Sequence, residues 1–270
     1  MPLFEDRVKA AEQLARRVQE WLDSKKTEID RHKLERQEQK SKNNDNVIVL
    51  AIPRGGVVIG DIVSNILGAK LDIVVSRKIG APYNPELAIG AVMPDGSYFL
   101  NQDIVNVLNV PKYYIHEQAD VQKKEIKRRL QIYRGMSGKG SEVREEGEEG
   151  EEGEEENSDY YNNFEGKTVL LVDDGIATGA TILSAAQWLK TKKNCCKILI
   201  VAVPVAPPPP SMPSSSNEDI VSKLNQIADK VIILYRPDPF YSVGQFYRHF
   251  EQVNDAQVKE IMKRHGYKPL

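Results

Sequence analysis

The stretch VLLVDDGIATGAT, residues 169–181, runs four apolar residues into two adjacent carboxylates and then into a loop of small and hydroxyl-bearing residues. A short, fully apolar run is the mark of a strand buried on both faces, as in a parallel sheet covered by helices. From Ala180 to Lys190, Ile182, Leu183, Ala186 and Leu189 recur at helical spacing. The loop between them therefore lies at a helix amino terminus. There the unpaired backbone N–H groups and the helix dipole favour an anion. Two neighbouring carboxylates repel each other unless a ligand uses them. The stretch thus predicts a phosphate site beside two carboxylates.

The same pattern recurs along the chain. Apolar runs at 47–52, 71–75, 197–203 and 230–235 predict further buried strands, and helical spacing predicts helices over 4–23, 57–67, 112–134, 217–228 and 255–265. Strand, helix, strand in this order means right-handed parallel crossovers. The expected fold is therefore α/β, a mainly parallel sheet flanked by helices, in one domain over 1–270 with its core at about 46–236. Residues 76–99 mix Gly, Pro and short β-like runs and are expected to form a mobile loop or hairpin. The polar segment 31–46 is expected to be a helical extension or a linker.

Charge is unevenly distributed. Residues 142–156 hold ten Glu and one Arg, so this insert carries −9 and the rest of the chain +7, against a net charge of −2. The surrounding segment 137–163 is nearly free of apolar side chains and is expected to be disordered. A basic body raises the possibility of RNA, but no zinc finger, helix-turn-helix or RNA-recognition signature is present, and nucleic acid is not expected as a partner. The Lys- and Arg-rich helix 112–134 is expected to be a solvated face rather than an anion patch. The longest apolar run, ILIVAVPVA, is too short to span a bilayer, and MPLFEDRVKA lacks a signal-peptide core. The two cysteines, Cys195 and Cys196, are neighbours unsuited to a disulfide. A soluble cytoplasmic protein without a membrane partner is expected.

Common phosphate motifs fail. Gly175 and Gly179 are too close for a GxxxxGK[ST] loop, no GxGxxG occurs, and the position two after Asp173 is Gly175 rather than an acid. The remaining combination of strand, acidic pair, hydroxyl-rich loop and helix resembles the PRPP-binding signature of the type I phosphoribosyltransferases. FEDRVKAAEQLA, SRKIGAPYNPELAIGAV and FYSVGQFYRHFEQVNDAQV extend the likeness to an uncharacterised branch known as predicted phosphoribosyltransferases, over nearly the whole chain apart from the acidic insert. The resemblance implies that Asp173 and Asp174 bind the ribose hydroxyls, directly or through water on Mg2+. It implies that Ala177, Thr178, Gly179, Ala180 and Thr181 cradle the 5′-phosphate. It places Gly55 and Gly56 of PRGG on the pyrophosphate, with Arg54 and a basic residue of SRK, Arg77 or Lys78, adding charge. Asp173, Asp174, Arg54 and Lys78 are the expected catalytic set.

The implied reaction transfers the ribose 5-phosphate of PRPP to a nitrogen acceptor, a nucleobase among the candidates, with release of pyrophosphate. The alternative is a non-catalytic PRPP or nucleotide sensor. Purine enzymes of the hypoxanthine type carry an acid where Ala177 stands here, which weakens that acceptor class; Glu86 reads as an exposed loop residue rather than a replacement. The resemblance also implies a hood built from residues 237–270 and the amino-terminal helix, and allows a homodimer. Phe240, Tyr241, Phe246 and Tyr247 have the chemistry to stack on a flat ring but are expected to be core by burial tendency.

Overall fold

The structure, a computed structural model, describes residues 2–32, 46–135, 164–191, 196–211 and 219–270. The expectation of disorder at 137–163 and the Cys195 thiol lie outside the described residues.

Five strands form one parallel sheet in the order β2-β1-β6-β7-β8: β1 Val47–Ala51, β2 Lys70–Ile73, β6 Thr168–Val172, β7 Ile198–Val205 and β8 Lys230–Tyr235. Their alternation explains why each reads as an unbroken apolar run. Val47, Val49 and Ala51 face one core, while Ile48, Leu50 and Ile52 face the other. The first core is closed by α1 (Arg7–His32) and α2 (Gly55–Leu67), with α4 (Lys112–Arg134) and α7 (Asp255–Arg264) at its rim. The second is closed by α5 (Ala180–Thr191) and α6 (Ile220–Ile227). The α/β class is as the sequence predicts.

Four elements differ from the expectation or extend it. The first helix starts at Arg7 rather than residue 4 and continues to His32, since no Gly or Pro interrupts that span. Phe4 precedes it, buried, in an isolated bridge to Tyr247. Residues 77–100 form a second, three-stranded antiparallel sheet, β3 Arg77–Ala81, β4 Asn84–Val92 and β5 Tyr98–Leu100. A short helix, α3 (Gln102–Val107), follows it with no buried residue, which is why no apolar periodicity announces it. The two glycines of PRGG are not a separate turn but the first residues of α2, which Gly68 ends in the left-handed conformation at φ +62°.

The ends of the chain meet over the sheet. Arg248 and His249 donate their N–H groups to the carbonyls of Phe4 and Glu5 at 2.9 Å. The outer edge of β2 is covered by the tail and α4: the Tyr267 hydroxyl donates to Leu71 O at 2.9 Å, and Arg134 Nη2 pairs with the buried Asp72 at 3.0 Å. Such covering removes an open strand edge.

Candidate active site

The site forms where β1 and β6 run side by side, paired Ala51 to Val172, at the carboxyl ends of the strands, where ligands of open α/β sheets bind. Asp173 and Asp174 leave β6 there, and PRGG leaves β1. The two loops touch. A Cβ on Gly56 would stand 3.0 Å from the Asp173 Cα, and one on Gly55 would stand 1.9 Å from Asp174 Oδ2. Only glycine permits this approach. The Pro53–Arg54 peptide is cis.

Asp173 Oδ1 accepts the Asp174 N–H at 2.8 Å. Burial, and secondarily the charge of Asp174, pushes the Asp173 carboxyl well above the ordinary carboxylate value. Asp174 rises as well, burial outweighing the opposing pull of Arg7. Its Oδ2 accepts from Arg7 Nε at 2.8 Å, and its carbonyl accepts from the Tyr247 hydroxyl at 2.6 Å. The pair sets two crowded carboxyl groups beside one built-in cation.

The loop over residues 177–181 leaves its backbone donors free among the described residues. Ile176 anchors the loop by donating its N–H to Val205 O at 2.8 Å, with its side chain buried. Gly179 adopts φ +78°, and a Cβ there would lie 2.3 Å from Ile220 Cγ1; both the angle and the space demand glycine. Among the described residues, none of the N–H groups of Ala177, Thr178, Gly179, Ala180 and Thr181 finds a protein acceptor. Ala177, Thr178, Ala180 and Thr181 are exposed. Five free donors at the start of a twelve-residue helix suit a phosphate.

The basic residues are placed differently. Arg54 Nη1 lies 3.7 Å from Asp255 Oδ1 at the start of α7. Arg77 Nε donates to Gln122 Oε1 of α4 at 3.0 Å, and Lys78 Nζ pairs with Glu86 Oε2 across the hairpin at 2.8 Å. The structure thus brings together Asp173, Asp174, Gly55, Gly56 and the 177–181 loop, and gives Arg54, Arg77 and Lys78 partners away from the carboxylates. Glu86 is exposed, as its reading as a surface residue anticipates. Phe246 and Tyr247 are buried, which fits core rather than an open stacking face, whereas Tyr241 is 85% exposed.

Sequence reasoning misses Arg7, Tyr247 as a partner of Asp174, and Phe250, whose ring centre lies 3.7 Å beneath the Arg7 guanidinium carbon. Arg7 and Asp174 are 167 residues apart, and no local pattern joins them.

Residues 18–238 match the family described as phosphoribosyl transferase domain. Two curated proteins of Mycobacterium tuberculosis, "Putative phosphoribosyl transferase Rv0571c" of strain H37Rv and "Putative phosphoribosyl transferase MT0597" of strain CDC 1551, are each 32% identical over 264 residues, 98% of this chain and 47% of theirs. The chain therefore spans about half the length of these curated relatives. The crystal structure of TT1426 from Thermus thermophilus is 30% identical, with a TM-score of 0.64 and coverage of 98% of this chain and 99% of that one. The carboxylate pair at the end of β6, the free amides beyond it and the match over most of the chain together carry one conclusion: this chain belongs to the phosphoribosyl transferase domain family.

Proposed function

We propose that the protein transfers the ribose 5-phosphate of PRPP to a nitrogen acceptor and releases pyrophosphate. The observation that carries this reading is the run of five unpaired backbone donors directly beside the paired carboxylates. The free amides of residues 177–181, with the Thr178 and Thr181 hydroxyls, hold the 5′-phosphate. Asp173 and Asp174 accept from the 2′- and 3′-hydroxyls. Gly55 and Gly56, whose N–H groups begin α2 without a protein acceptor among the described residues, face the pyrophosphate. Arg54 adds positive charge from the same loop.

The donor set fits magnesium that arrives with the substrate. No group of three or more His, Cys, Asp or Glu among the described residues could cage a metal ion. Two carboxylates and substrate phosphates are what Mg2+ uses while keeping its own waters; Asp173 and Asp174 would hold it through those waters. When bound, it neutralises charge on the leaving pyrophosphate.

In the transfer, the acceptor nitrogen forms a bond to C1 as the bond from C1 to the pyrophosphate oxygen breaks, its electron pair leaving with the pyrophosphate, and any proton on the nitrogen passes to the released pyrophosphate or to solvent. Charge develops towards an oxocarbenium-like state, so donors on the leaving group contribute most. Closure of the β3–β4 hairpin would exchange the Gln122 and Glu86 partners of Arg77 and Lys78 for the pyrophosphate and keep water from C1.

No helix among the described residues is long and apolar enough to cross a membrane. Since all three basic side chains have partners away from the carboxylates in this conformation, a PRPP sensor is the second reading. One experiment separates the two. PRPP with Mg2+ is expected to raise the melting temperature, since a ligand at a hundred times its Kd contributes about 2.7 kcal/mol. Incubation with a panel of purines, pyrimidines and other nitrogen acceptors is expected to release pyrophosphate with at least one. Binding without turnover on any acceptor favours the sensor, and an unchanged melting temperature at millimolar PRPP refutes both.

A further inference from the structure

Resting on the proposed PRPP site, we propose that Arg7 is its positioning residue and resident counter-ion. It holds the Asp174 carboxylate in place, and it weakens the acidic pair's hold on a bare divalent cation, so that metal enters preferentially with PRPP.

The geometry is a closed circuit of four residues from three distant parts of the chain. Arg7 Nε donates to Asp174 Oδ2 at 2.8 Å, and Arg7 Nη1 donates to Glu251 O at 2.9 Å. The guanidinium lies on the Phe250 ring, Phe250 stacks on Tyr247 with ring centres 4.8 Å apart, and the Tyr247 hydroxyl returns to Asp174 O at 2.6 Å. Asp174 is thus gripped at its carboxylate by α1 and at its carbonyl by the tail. The Arg7 and Asp174 side chains are 10% and 15% exposed, so water screens the pair little and the charge-assisted bond is strong. The fork of the guanidinium matters here. One nitrogen serves Asp174 and another serves Glu251 O while the flat face stacks, which a lysine ammonium cannot reproduce.

The charge follows from the same contacts. With both carboxylates ionised, as a cation would require, the pair alone would present −2 to the cleft, and Arg7 would reduce this to −1. A bare divalent cation is attracted less strongly to such a site, whereas a metal carried by the polyanionic PRPP loses nothing, because the positive charge of Arg7 also attracts the substrate. The backbone of Gly55 packs against this ion pair, with its missing Cβ 3.3 Å from Arg7 Nε. The pyrophosphate loop is therefore shaped by the same contact.

The test measures two affinities in wild type, Arg7→Met and Arg7→Lys, with folding followed by circular dichroism. Mn2+ alone is titrated by the electron paramagnetic resonance of the free ion, and PRPP with Mg2+ is titrated calorimetrically. Loss of a hydrogen bond to a charged group predicts that Arg7→Met weakens PRPP by about tenfold or more. The same variant is expected to bind Mn2+ alone severalfold more tightly. Opposite movements of this kind are not produced by a general loosening of the fold. Arg7→Lys keeps the charge without the fork, so its Mn2+ affinity stays near wild type while PRPP weakens severalfold. Mn2+ affinity that is unchanged or reduced in Arg7→Met overturns the counter-ion role. PRPP affinity equal to wild type in Arg7→Lys overturns the positioning role, and this variant decides should Arg7→Met not fold. A wild type that binds no PRPP overturns the site itself, an outcome distinct from either.

Discussion

Gly55→Ala places a single methyl at the most sensitive contact of the site. The new Cβ would stand 1.9 Å from Asp174 Oδ2 and 2.6 Å from its Cγ, so the carboxylate must swing away. It cannot do so freely, because Arg7 Nε holds the same oxygen at 2.8 Å. Breaking a charge-assisted hydrogen bond of this kind costs about 1.5–3 kcal/mol. Replacing glycine in a helix returns about 0.5–1 kcal/mol by restricting the unfolded chain. The expected net loss is about 1–2 kcal/mol, a fall of roughly 2–6 °C in Tm for a chain of this size. PRPP affinity is expected to fall by about tenfold, the equivalent of 1.4 kcal/mol, because the displaced carboxylate no longer meets the ribose. Differential scanning calorimetry without ligand and titration calorimetry with PRPP and Mg2+ read the two effects. Gly60→Ala serves as control. Its Cβ would meet Leu71 Cδ1 at 2.8 Å and the Ala51 Cβ at 2.9 Å within the core, so it should lower Tm while leaving PRPP affinity intact in the folded protein. A Gly55→Ala protein that melts at or above wild type and binds PRPP as tightly would refute the placement of Asp174 and its role.

Asp173→Asn should stabilise the unliganded protein at neutral pH and abolish tight PRPP capture. The raised carboxyl of Asp173 contributes stability at low pH that is lost as pH rises through its folded value, so denaturant titrations at pH 5 and 8 should show a smaller decline in the variant. Asp229 behaves oppositely: against the penalty of burial, the Leu199 N–H and then Lys190 hold its carboxyl below the ordinary value. Asp229→Asn should therefore destabilise modestly at pH 7, by less than about 1 kcal/mol given its exposure, with the difference from wild type shrinking in urea unfolding as pH falls through the folded value of Asp229, below the ordinary carboxylate range. Replacing residues 137–163 by a short Gly-Ser linker should leave PRPP affinity and turnover within about twofold at physiological salt, where charges are screened over about 8 Å. The segment rejoins the described chain at Phe164, ahead of the amino end of β6, whereas Asp173 follows its carboxyl end. A tenfold rise that fades with added salt would instead mark the acidic segment as an inhibitor.

The strands of the parallel sheet were legible because burial on both faces forces an uninterrupted apolar run, as Val47–Ala51 and Thr168–Val172 show. The acidic pair and the small-residue loop were legible because an anion cradle at a helix start is made by consecutive residues. The antiparallel sheet was legible only as short β-like runs that left a loop and a hairpin both open. The first residues of β4 are exposed and β5 has only three residues, so neither carries an alternation that stands out from a loop. The placement of the basic residues was also beyond local reading: Arg77 and Lys78 are adjacent in sequence, yet one meets α4 and the other β4. Arg7 shows the limit most clearly. In the sequence it is one arginine among many charged residues near the start of an amphipathic helix. It becomes part of the site only because α1 docks on α2 and the tail folds back to bring Phe250 beneath it and Glu251 O beside it. Periodicity along a chain records which face of an element is buried, whereas the identity of the partner across 167 residues is decided by how those faces pack.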